Sequence, residues 1–257
     1  MKHETVEKLY NNINVIGDTL TTIIYEYSEE VQNSILNTNI VTNDDKVPHK
    51  TTDIHGKIKF WKMNSLSAAR KLTMETNDRV VVHNFANAYN PGGGVLLGAD
   101  AQEENICRCS TLYPVLASEK CHNLYYSSSD SIKGSEDALY SEGIVVFKDD
   151  VTYQPIDPFI IDIVTCAAHD NNISDMRATA LLLPAMESRI SNVLKSCVLH
   201  GRRNVILGAF GCGAFKNDPY HVALWSMNMI SLYANYFDNV IFALPDENYE
   251  IFKSVLE

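Results

Sequence analysis

The stretch VVVHNFANAYNPGGGVLLGADAQEEN (80–105) joins an apolar run to three consecutive glycines and then to two adjacent glutamates. The valine-rich run has the length and β-branched composition of a buried strand. The glycines that follow give the backbone unusual conformational freedom. In α/β sheets, ligands bind at the carboxyl ends of the strands, where such loops begin. The stretch therefore predicts an α/β fold with a ligand site at this loop.

Strand and helix patterns alternate along the rest of the chain. Apolar residues recur every three or four positions from Val6 to Tyr27, which predicts an N-terminal helix. The other predicted elements are strands at 57–62, 143–147, 158–168, 204–210 and 239–244, and helices that begin at 65 and 218, span 176–197 and close the chain. This alternation predicts a three-layer α/β/α sandwich.

Three segments interrupt the regular order. Residues 42–53 are polar and contain a proline, which predicts a linker. Residues 119–142 have the polar composition of a long surface loop. Pro184 lies inside the predicted helix at 176–197, where we expect a kink or the start of a new helix.

The charge balance limits the kinds of ligand. The 257 residues include 21 Lys and Arg against 32 Asp and Glu, which gives a net charge of −11. This excess of acidic residues argues against direct nucleic-acid binding, which needs a basic face. An anionic ligand would have to be bound by backbone amides and helix ends, which attract anions without a cationic side chain.

Cysteine usage and hydropathy are typical of an intracellular protein. The six cysteines are Cys107, Cys109, Cys121, Cys166, Cys197 and Cys212. They form no CxxC pair, and the cluster at 107–122 does not match a standard zinc-ligand spacing. We therefore expect reduced thiols, no metal and no cofactor. No secretory signal and no apolar stretch long enough to span a membrane is recognised, so no membrane partner is expected.

The two glutamates fall at the start of a predicted helix. Apolar residues at helical spacing follow them, which places the helix start near Ala101 with Asp100 as the N-cap. Glu103 would then occupy the third helical position, where a capping box is a purely structural explanation for it. Glu104 has no such explanation, and taken alone it would be interpreted as a solvated charge in the first turn of the helix. Neighbouring helical positions point about 100° apart, so we expect one carboxylate to position a substrate and the other to transfer a proton.

A second glycine-bearing loop, GAFGCGAF (208–215), follows a predicted strand at the same edge of the sheet. Either loop alone could be an ordinary turn, but two at one edge could form a nest of amides for a diphosphate. Phe215 either packs in the core or stacks on a ribose or base. Cys212 is more typical of a small residue chosen for space than of a nucleophile.

Asparagines and histidines near the loops complete the candidates. Asn87 and Asn90 either form turns or bind sugar hydroxyls. His83, His169 and His221 are also considered, and His169 follows a predicted strand at the site edge. A loop histidine with satisfied hydrogen bonds is the favoured interpretation of His169. No Ser-His-Asp or Cys-His arrangement is recognised.

Together these motifs resemble the poly(ADP-ribose) glycohydrolase family, which is built on the macrodomain fold. The specific match is a glycine triplet followed by Gln-Glu-Glu, GGGVLLGADAQEE (92–104). FAN (85–87) and GCGAF (211–215) are also similar to family motifs. TCAAHD (165–170) departs from the pattern, because the family implies a proline-containing loop there.

The resemblance is closest to the compact bacterial-type members. It implies one macrodomain-like catalytic domain at 46–257 with a mixed central sheet. It also implies an accessory helical segment at 1–45 in front of that domain. Relatives of this type are implied to act mainly from the ends of the polymer.

The resemblance assigns roles to the candidate residues. Glu104 would be the catalytic acid and base, and Glu103 would hold the ribose hydroxyls at the scissile bond. The glycine loops would bind the diphosphate, and Phe215 would pack on the distal ribose. The implied substrate-binding residues are Asn87, Gly92, Gly93, Gly94, Gln102, Gly211, Cys212, Gly213, Ala214 and Phe215.

The leading hypothesis is hydrolysis of ribose–ribose bonds in poly(ADP-ribose) to release ADP-ribose. Two alternatives remain: an ADP-ribose reader, which would not need the Gln-Glu-Glu motif, and a hydrolase of single ADP-ribose units on protein or nucleic acid. A dehydrogenase is disfavoured because no GxGxxG opens a helix after the first strand. The expected partner is ADP-ribose or its polymer on modified proteins, and a monomer is favoured.

Overall fold

The computed structural model describes residues 3–49, 56–127, 136–172, 179–245 and 247–256. In chain order the first elements are α1 (His3–Glu26), α2 (Ser28–Leu36), β1 (Asn39–Val41), β2 (Lys57–Trp61), α3 (Ser65–Thr76), β3 (Val80–Ala86), a 3₁₀ turn (Val95–Leu97), α4 (Gln102–Cys109), α5 (Leu112–Leu116), α6 (Glu119–Cys121) and a π-helical turn (His122–Tyr126). They are followed by β4 (Ala138–Lys148), β5 (Pro155–Ala167), α7 (Thr179–Leu199), β6 (Asn204–Leu207), α8 (Pro219–Tyr233), a 3₁₀ turn (Ala234–Tyr236), β7 (Asn239–Ala243) and α9 (Asn248–Leu256).

The strands form a mixed sheet of seven strands in the order β1-β4-β5-β3-β6-β7-β2. From β5 to β2 all neighbouring strands are parallel, whereas β4 is antiparallel to both of its neighbours. The central strands β5, β3 and β6 therefore end at one edge. Both glycine-bearing loops leave the sheet at that edge, as expected.

Helices cover both faces of the sheet. Because the side chains of a strand alternate between the two faces, neighbouring residues of one strand pack in different cores. Val80 and Val82 face a core built with α1 to α5, whereas Val81 faces a core built with α7 to α9. The predicted α/β fold with helices on both faces is therefore confirmed. The helical N-terminal segment is also present, and its β1 pairs with β4 through Ile40 and Leu139. The domain boundary at residue 45 stays a prediction.

Two helices show how well local signals predict the elements. Asp218 caps α8, because its carboxylate accepts hydrogen bonds from the backbone of Tyr220 and His221, and Pro219 is the first helical residue. By contrast, α7 continues through Pro184, so a new helix does not start there. Pro184 lies near the beginning of α7, where its missing N–H removes only one backbone hydrogen bond. Residues 176–178 of the predicted helix lie outside the described residues.

One segment differs from the sequence-based expectation of a loop. In the predicted loop at 119–142, residues 119–126 form helical turns and residues 138–142 belong to β4. Tyr125, Tyr126 and Tyr140 are buried there, so apolar contacts outweigh the polar composition. Residues 128–135 of this loop and 50–53 of the predicted linker lie outside the described residues.

Candidate active site

A cavity of about 800 Å³ opens at the carboxyl ends of the parallel strands. This volume suits a nucleotide-sized ligand, since small-molecule sites span about 300–1,000 Å³. The predicted site residues that line it are Asn87, Gln102, Glu103, Glu104, Gly211, Gly213, Ala214 and Phe215. The structure therefore brings the second glycine loop and the start of α4 to one cavity, whereas the lining does not include Gly92, Gly93, Gly94 or Cys212.

The glycine triplet packs against the carboxylates of the two glutamates. Gly92 and Gly93 have φ angles of +72° and +60°, in the left-handed region that favours glycine. A Cβ on Gly93 would overlap Oε1 of Glu104 and would lie 3.2 Å from Oε2 of Glu103. The absence of a side chain at Gly93 is thus what allows both carboxylates to approach the loop.

The amides of the triplet are committed within the protein. Gly94 N donates to Oε1 of Glu104 at 2.9 Å, and the Gly92 amide lies close enough to Glu103 to lower its pKa. Gly93 N donates to the carbonyl of Asn90 at 2.9 Å. These bonds revise the expected role of the triplet, since the amides of Gly93 and Gly94 would have to break them to bind a diphosphate.

The start of α4 differs from the sequence prediction. The helix begins at Gln102 with Ala101 as its N-cap, and no side chain caps it. The prediction that Asp100 is the N-cap is wrong, because Asp100 accepts a hydrogen bond from the fully buried Arg108 at 2.8 Å instead. The capping-box interpretation of Glu103 is wrong as well. Its Oε2 accepts from the backbone of Asn87 at 2.7 Å.

Gln102 anchors the helix start to the sheet. Its Oε1 accepts from Phe85 N at 2.8 Å, and its Nε2 donates to the carbonyl of His83 at 2.7 Å and to Ser65 Oγ at 3.2 Å. The amide of Gln102 thereby fixes α4 beside the end of β3. A direct contact between Gln102 and a substrate stays a prediction.

Glu103 is almost fully buried. Its Oε1 accepts a hydrogen bond from Asn84 Nδ2 at 3.3 Å. Burial raises the pKa of Glu103 to about 8, and the nearby Glu104 carboxyl adds to this, although the hydrogen bonds from Asn87, Asn84 and Gly92 act in the opposite direction. At neutral pH Glu103 therefore mainly carries a proton, and it can donate a hydrogen bond as well as accept one.

The two carboxylate oxygens of Glu104 differ in their hydrogen bonding. Its Oε1 is bound by the amide of Gly94, whereas Oε2 has no hydrogen-bond partner among the described residues. The side chain is 8% exposed and lines the cavity. Of the two glutamates, Glu104 therefore presents the oxygen that is positioned to exchange a proton with a bound molecule.

We expect Glu103→Gln to stabilise the ligand-free protein as the pH rises. The folded pKa of Glu103 lies above its ordinary value, so the unfolded chain loses this proton near pH 4.5 and the native chain only near pH 8. The free energy of unfolding of the wild type should therefore fall across that window. Glutamine keeps the shape and does not ionise. Since one pKa unit corresponds to about 1.4 kcal/mol, the Tm of the variant should exceed that of the wild type by several degrees at pH 8.

The measurement is a series of thermal denaturations between pH 4.5 and 9. The control is Glu75→Gln on the exposed face of α3, where Glu75 pairs with Lys71. A Tm difference between Glu103→Gln and the wild type that is the same at pH 5 and pH 8 would contradict the burial argument.

The second glycine loop also lines the cavity. Gly211 has a φ of +73°, and a Cβ there would clash with Ala168 and Asn217. Phe215 is half-buried, because one part of its ring packs against the core and the rest lines the cavity. Cys212 is partly buried and is not among the residues lining the cavity.

Asn87 has the structural role that its position predicts. Its Oδ1 accepts hydrogen bonds from the backbone of Tyr89 and Asn90, both at 2.9 Å, which forms a turn. The turn-former interpretation of Asn87 is therefore confirmed. Since Asn87 also lines the cavity, its Nδ2 stays available as a predicted sugar contact.

The histidines considered from the sequence do not line the cavity. His83 is buried against Phe85 and Phe210, and burial lowers its pKa to about 3, so it is a neutral core residue. His169 is buried, and its carbonyl accepts from Asn217. His221 is exposed at the start of α8.

The sequence does not predict three polar side chains near the site: Asn84, Arg108 and Asn217 are all buried and hydrogen-bonded around the loops. A polar residue inside an otherwise apolar strand is the one signal that could have identified Asn84. In the described part of the chain, no group of three or more His, Cys, Asp and Glu side chains is placed to hold a metal ion. Nor does any described helix combine the length and apolar character that crossing a membrane requires.

Comparison with known proteins agrees with this geometry. No curated protein matches the chain by sequence. Among solved structures, poly(ADP-ribose) glycohydrolase from Thermomonospora curvata is similar with a TM-score of 0.87 and 26% identity, over 96% of this chain and 99% of that one. The structure of the same enzyme bound to the inhibitor ADP-HPD is similar with a TM-score of 0.83 and 26% identity, over 95% of this chain and 99% of that one. Poly(ADP-ribose) glycohydrolase from Deinococcus radiodurans in complex with ADP-ribose is similar with a TM-score of 0.80 and 26% identity, over 88% of this chain and 96% of that one.

The sequence itself also matches a known family. Residues 20–149, which include the glycine triplet and both glutamates, match the family described as microbial-type PARG, catalytic domain. PARG abbreviates poly(ADP-ribose) glycohydrolase. With the matching fold and the arrangement of the two loops around Glu103 and Glu104, the chain belongs to the microbial-type poly(ADP-ribose) glycohydrolases.

Proposed function

We propose that this protein hydrolyses the ribose–ribose O-glycosidic bonds of poly(ADP-ribose) and releases ADP-ribose. The observation that carries the proposal is the Glu104 carboxyl, which the amide of Gly94 holds at the cavity with Oε2 free. An ADP-ribose reader has no need for a proton donor in this position. The family to which the chain belongs and the ADP-ribose complex of its relative support the same substrate.

The reaction begins with proton transfer from Glu104. Its Oε2 gives a proton to the ribose oxygen of the leaving group as the bond from that oxygen to the anomeric carbon breaks. Positive charge develops on the sugar, as in other glycosidic cleavages. The resulting carboxylate then takes a proton from the water that attacks the anomeric carbon, which restores the acid for the next cycle.

Glu103 has a positioning role in this scheme. It lies beside Glu104 on the same helix, so the two carboxyls do not stand on opposite sides of a bond as in ordinary glycosidases. Because burial keeps a proton on Glu103 at neutral pH, its carboxyl can both donate to and accept from ribose hydroxyls. Asn87 Nδ2 is placed to bind the same sugar.

The second glycine loop is the proposed site of the diphosphate. Gly211, Gly213, Ala214 and Phe215 line the same cavity as the start of α4, and backbone amides bind anions without a cationic side chain. This suits a protein with a net charge of −11. Phe215 would pack on the distal ribose.

The cellular setting is a further part of the proposal. The substrate would be the polymer on modified proteins, reached by a monomer that acts inside the cell. All six cysteines are thiols rather than disulfides, which is consistent with a reducing compartment. Sedimentation of the purified protein would test whether it is a monomer.

One substrate panel tests the proposed activity. The purified protein is incubated with polymeric, serine-linked, aspartate-linked and base-linked ADP-ribose, and the released nucleotides are separated by chromatography. We expect the protein to release ADP-ribose from the polymer at a rate far above its rate of release from the other three substrates. Tight binding of ADP-ribose without release from any substrate would make the protein a reader, and faster release from a single-unit substrate would reassign the linkage.

A further inference from the structure

The second glycine loop is attached to the segment that follows β5 by asparagine side chains. The buried Asn217 donates from Nδ2 to the carbonyl of His169 at 2.8 Å and to the carbonyl of Gly211 at 3.2 Å. Its backbone N donates to the same Gly211 carbonyl at 3.1 Å. Asn217 therefore connects two loops that are far apart in the sequence.

Two more asparagines bind carbonyls of the same loop. Asn171 donates from its backbone to the carbonyl of Phe215 at 2.9 Å and from Nδ2 to the carbonyl of Lys216 at 3.3 Å. Asn172 donates from Nδ2 to the carbonyl of Ala214 at 2.8 Å. Together with Asn217, these residues occupy loop carbonyls at four positions, namely 211, 214, 215 and 216.

The loop amides have the opposite arrangement. The backbone N–H groups of Gly211, Gly213, Ala214 and Phe215 have no hydrogen-bond partner among the described residues. The same four residues line the cavity. Bound carbonyls and unpaired amides in a loop that lines a cavity suit an anion-binding nest, because a free carbonyl beside the ligand would repel a phosphate.

We propose that Asn171, Asn172 and Asn217 are positioning residues, which bind the carbonyls of the second glycine loop and so keep its amides turned toward the substrate diphosphate. The inference rests on the proposed function, because the diphosphate belongs to that substrate. It also gives a role to the segment at 165–172, which lacks the proline that the family pattern implies.

Charge and burial explain why asparagine suits position 217. Its Nδ2 supplies two donors to two carbonyls, and its Oδ1 is buried without a partner among the described residues. Aspartate at this position would have no donors and would place a negative charge next to carbonyl oxygens and a bound phosphate. A buried hydrogen bond contributes about 0.5–1.5 kcal/mol, and 1.4 kcal/mol is about tenfold in affinity.

The test measures binding of three nucleotides by calorimetry, together with KM and kcat on the polymer. For Asn217→Ala we expect ADP-ribose and ADP to bind about tenfold more weakly, whereas AMP, which lacks the diphosphate, loses much less. KM should rise while kcat stays near the wild-type value. Asn217→Asp should lose more than Asn217→Ala.

Asn172→Ala changes an exposed residue. It therefore tests whether the asparagines position the loop even if a change at the buried Asn217 prevents folding. It should weaken ADP and ADP-ribose binding several-fold. The control is Asn228→Ala, because Asn228 is an exposed asparagine on α8 whose side chain bonds to Glu187, away from the loop. This control should bind all three nucleotides as the wild type does.

The outcomes separate this inference from the proposed function. If the wild type binds ADP-ribose and ADP, and the folded variants at 172 and 217 bind them equally well, the asparagine role is wrong and the proposed function stands. A fall in kcat with unchanged KM and unchanged ADP affinity would also overturn the inference. A wild type that binds neither ADP nor ADP-ribose would overturn both.

Discussion

Replacing Glu104 by glutamine should abolish release of ADP-ribose from the polymer while binding of ADP-ribose is retained. Glutamine has the same shape and can still accept the hydrogen bond from Gly94 through Oε1. It has no proton to give to the leaving oxygen and cannot take one from water. General acid–base catalysis contributes about 10²–10⁴-fold in rate, and because Glu104 acts in both steps we expect a fall in kcat of about 10³-fold or more.

Two measurements define this result. Hydrolysis of the polymer is followed by chromatography of released nucleotides, and ADP-ribose affinity by calorimetry on the same sample. Glu75→Gln, on the exposed face of α3, is the control for loss of a carboxylate and should keep full activity. A Glu104→Gln variant that releases ADP-ribose at more than a tenth of the wild-type rate would remove Glu104 from its proposed role.

The second large effect is expected for Gly93→Ala. The φ of +60° at Gly93 disfavours any side chain, and the added Cβ would overlap Oε1 of Glu104. The carboxyl would have to move away from the amide of Gly94. Because a displacement of about 1 Å at a reacting group can cost 10²-fold in rate, we expect kcat to fall by about 100-fold or more.

Gly201→Ala separates backbone strain from displacement of the Glu104 carboxyl. Gly201 has a φ of +67° but lies in a turn before β6, where an added Cβ would meet no atom within 4 Å. The substitution should lower the Tm through the same strain and leave kcat unchanged. Equal losses of kcat in Gly93→Ala and Gly201→Ala would show that the crowding of Glu104 is irrelevant to catalysis.

The sequence was sufficient for the layers of the fold and for the place of the site. Period-two and period-3.6 patterns placed the strands and most helices, because each such face must be buried. The loop after β3 and the loop after β6 meet because their strands are parallel and adjacent, which the alternation of elements implied. Asp218 and Pro219 marked the start of α8 because their effect is local.

The features that were missed depend on contacts between distant residues. Asp100 did not cap α4 because Arg108, buried behind it, needs a counter-charge. The hydrogen bond from Asn217 to the carbonyl of His169 spans 48 positions of the sequence, and no local sequence pattern predicts it. The bond from the Gly94 amide to Glu104 likewise arises only when the loop and the helix are folded together.

The most direct measurement of the central claim is the identity of the first product that the wild-type protein releases from poly(ADP-ribose). Mass spectrometry at early times distinguishes cleavage of the glycosidic bond from cleavage of the diphosphate. Proton transfer by Glu104 to a ribose oxygen predicts intact ADP-ribose as the product, formed by wild type and absent with Glu104→Gln. Phosphoribosyl-AMP as the first product, or no product from a protein that binds ADP-ribose, would contradict the account.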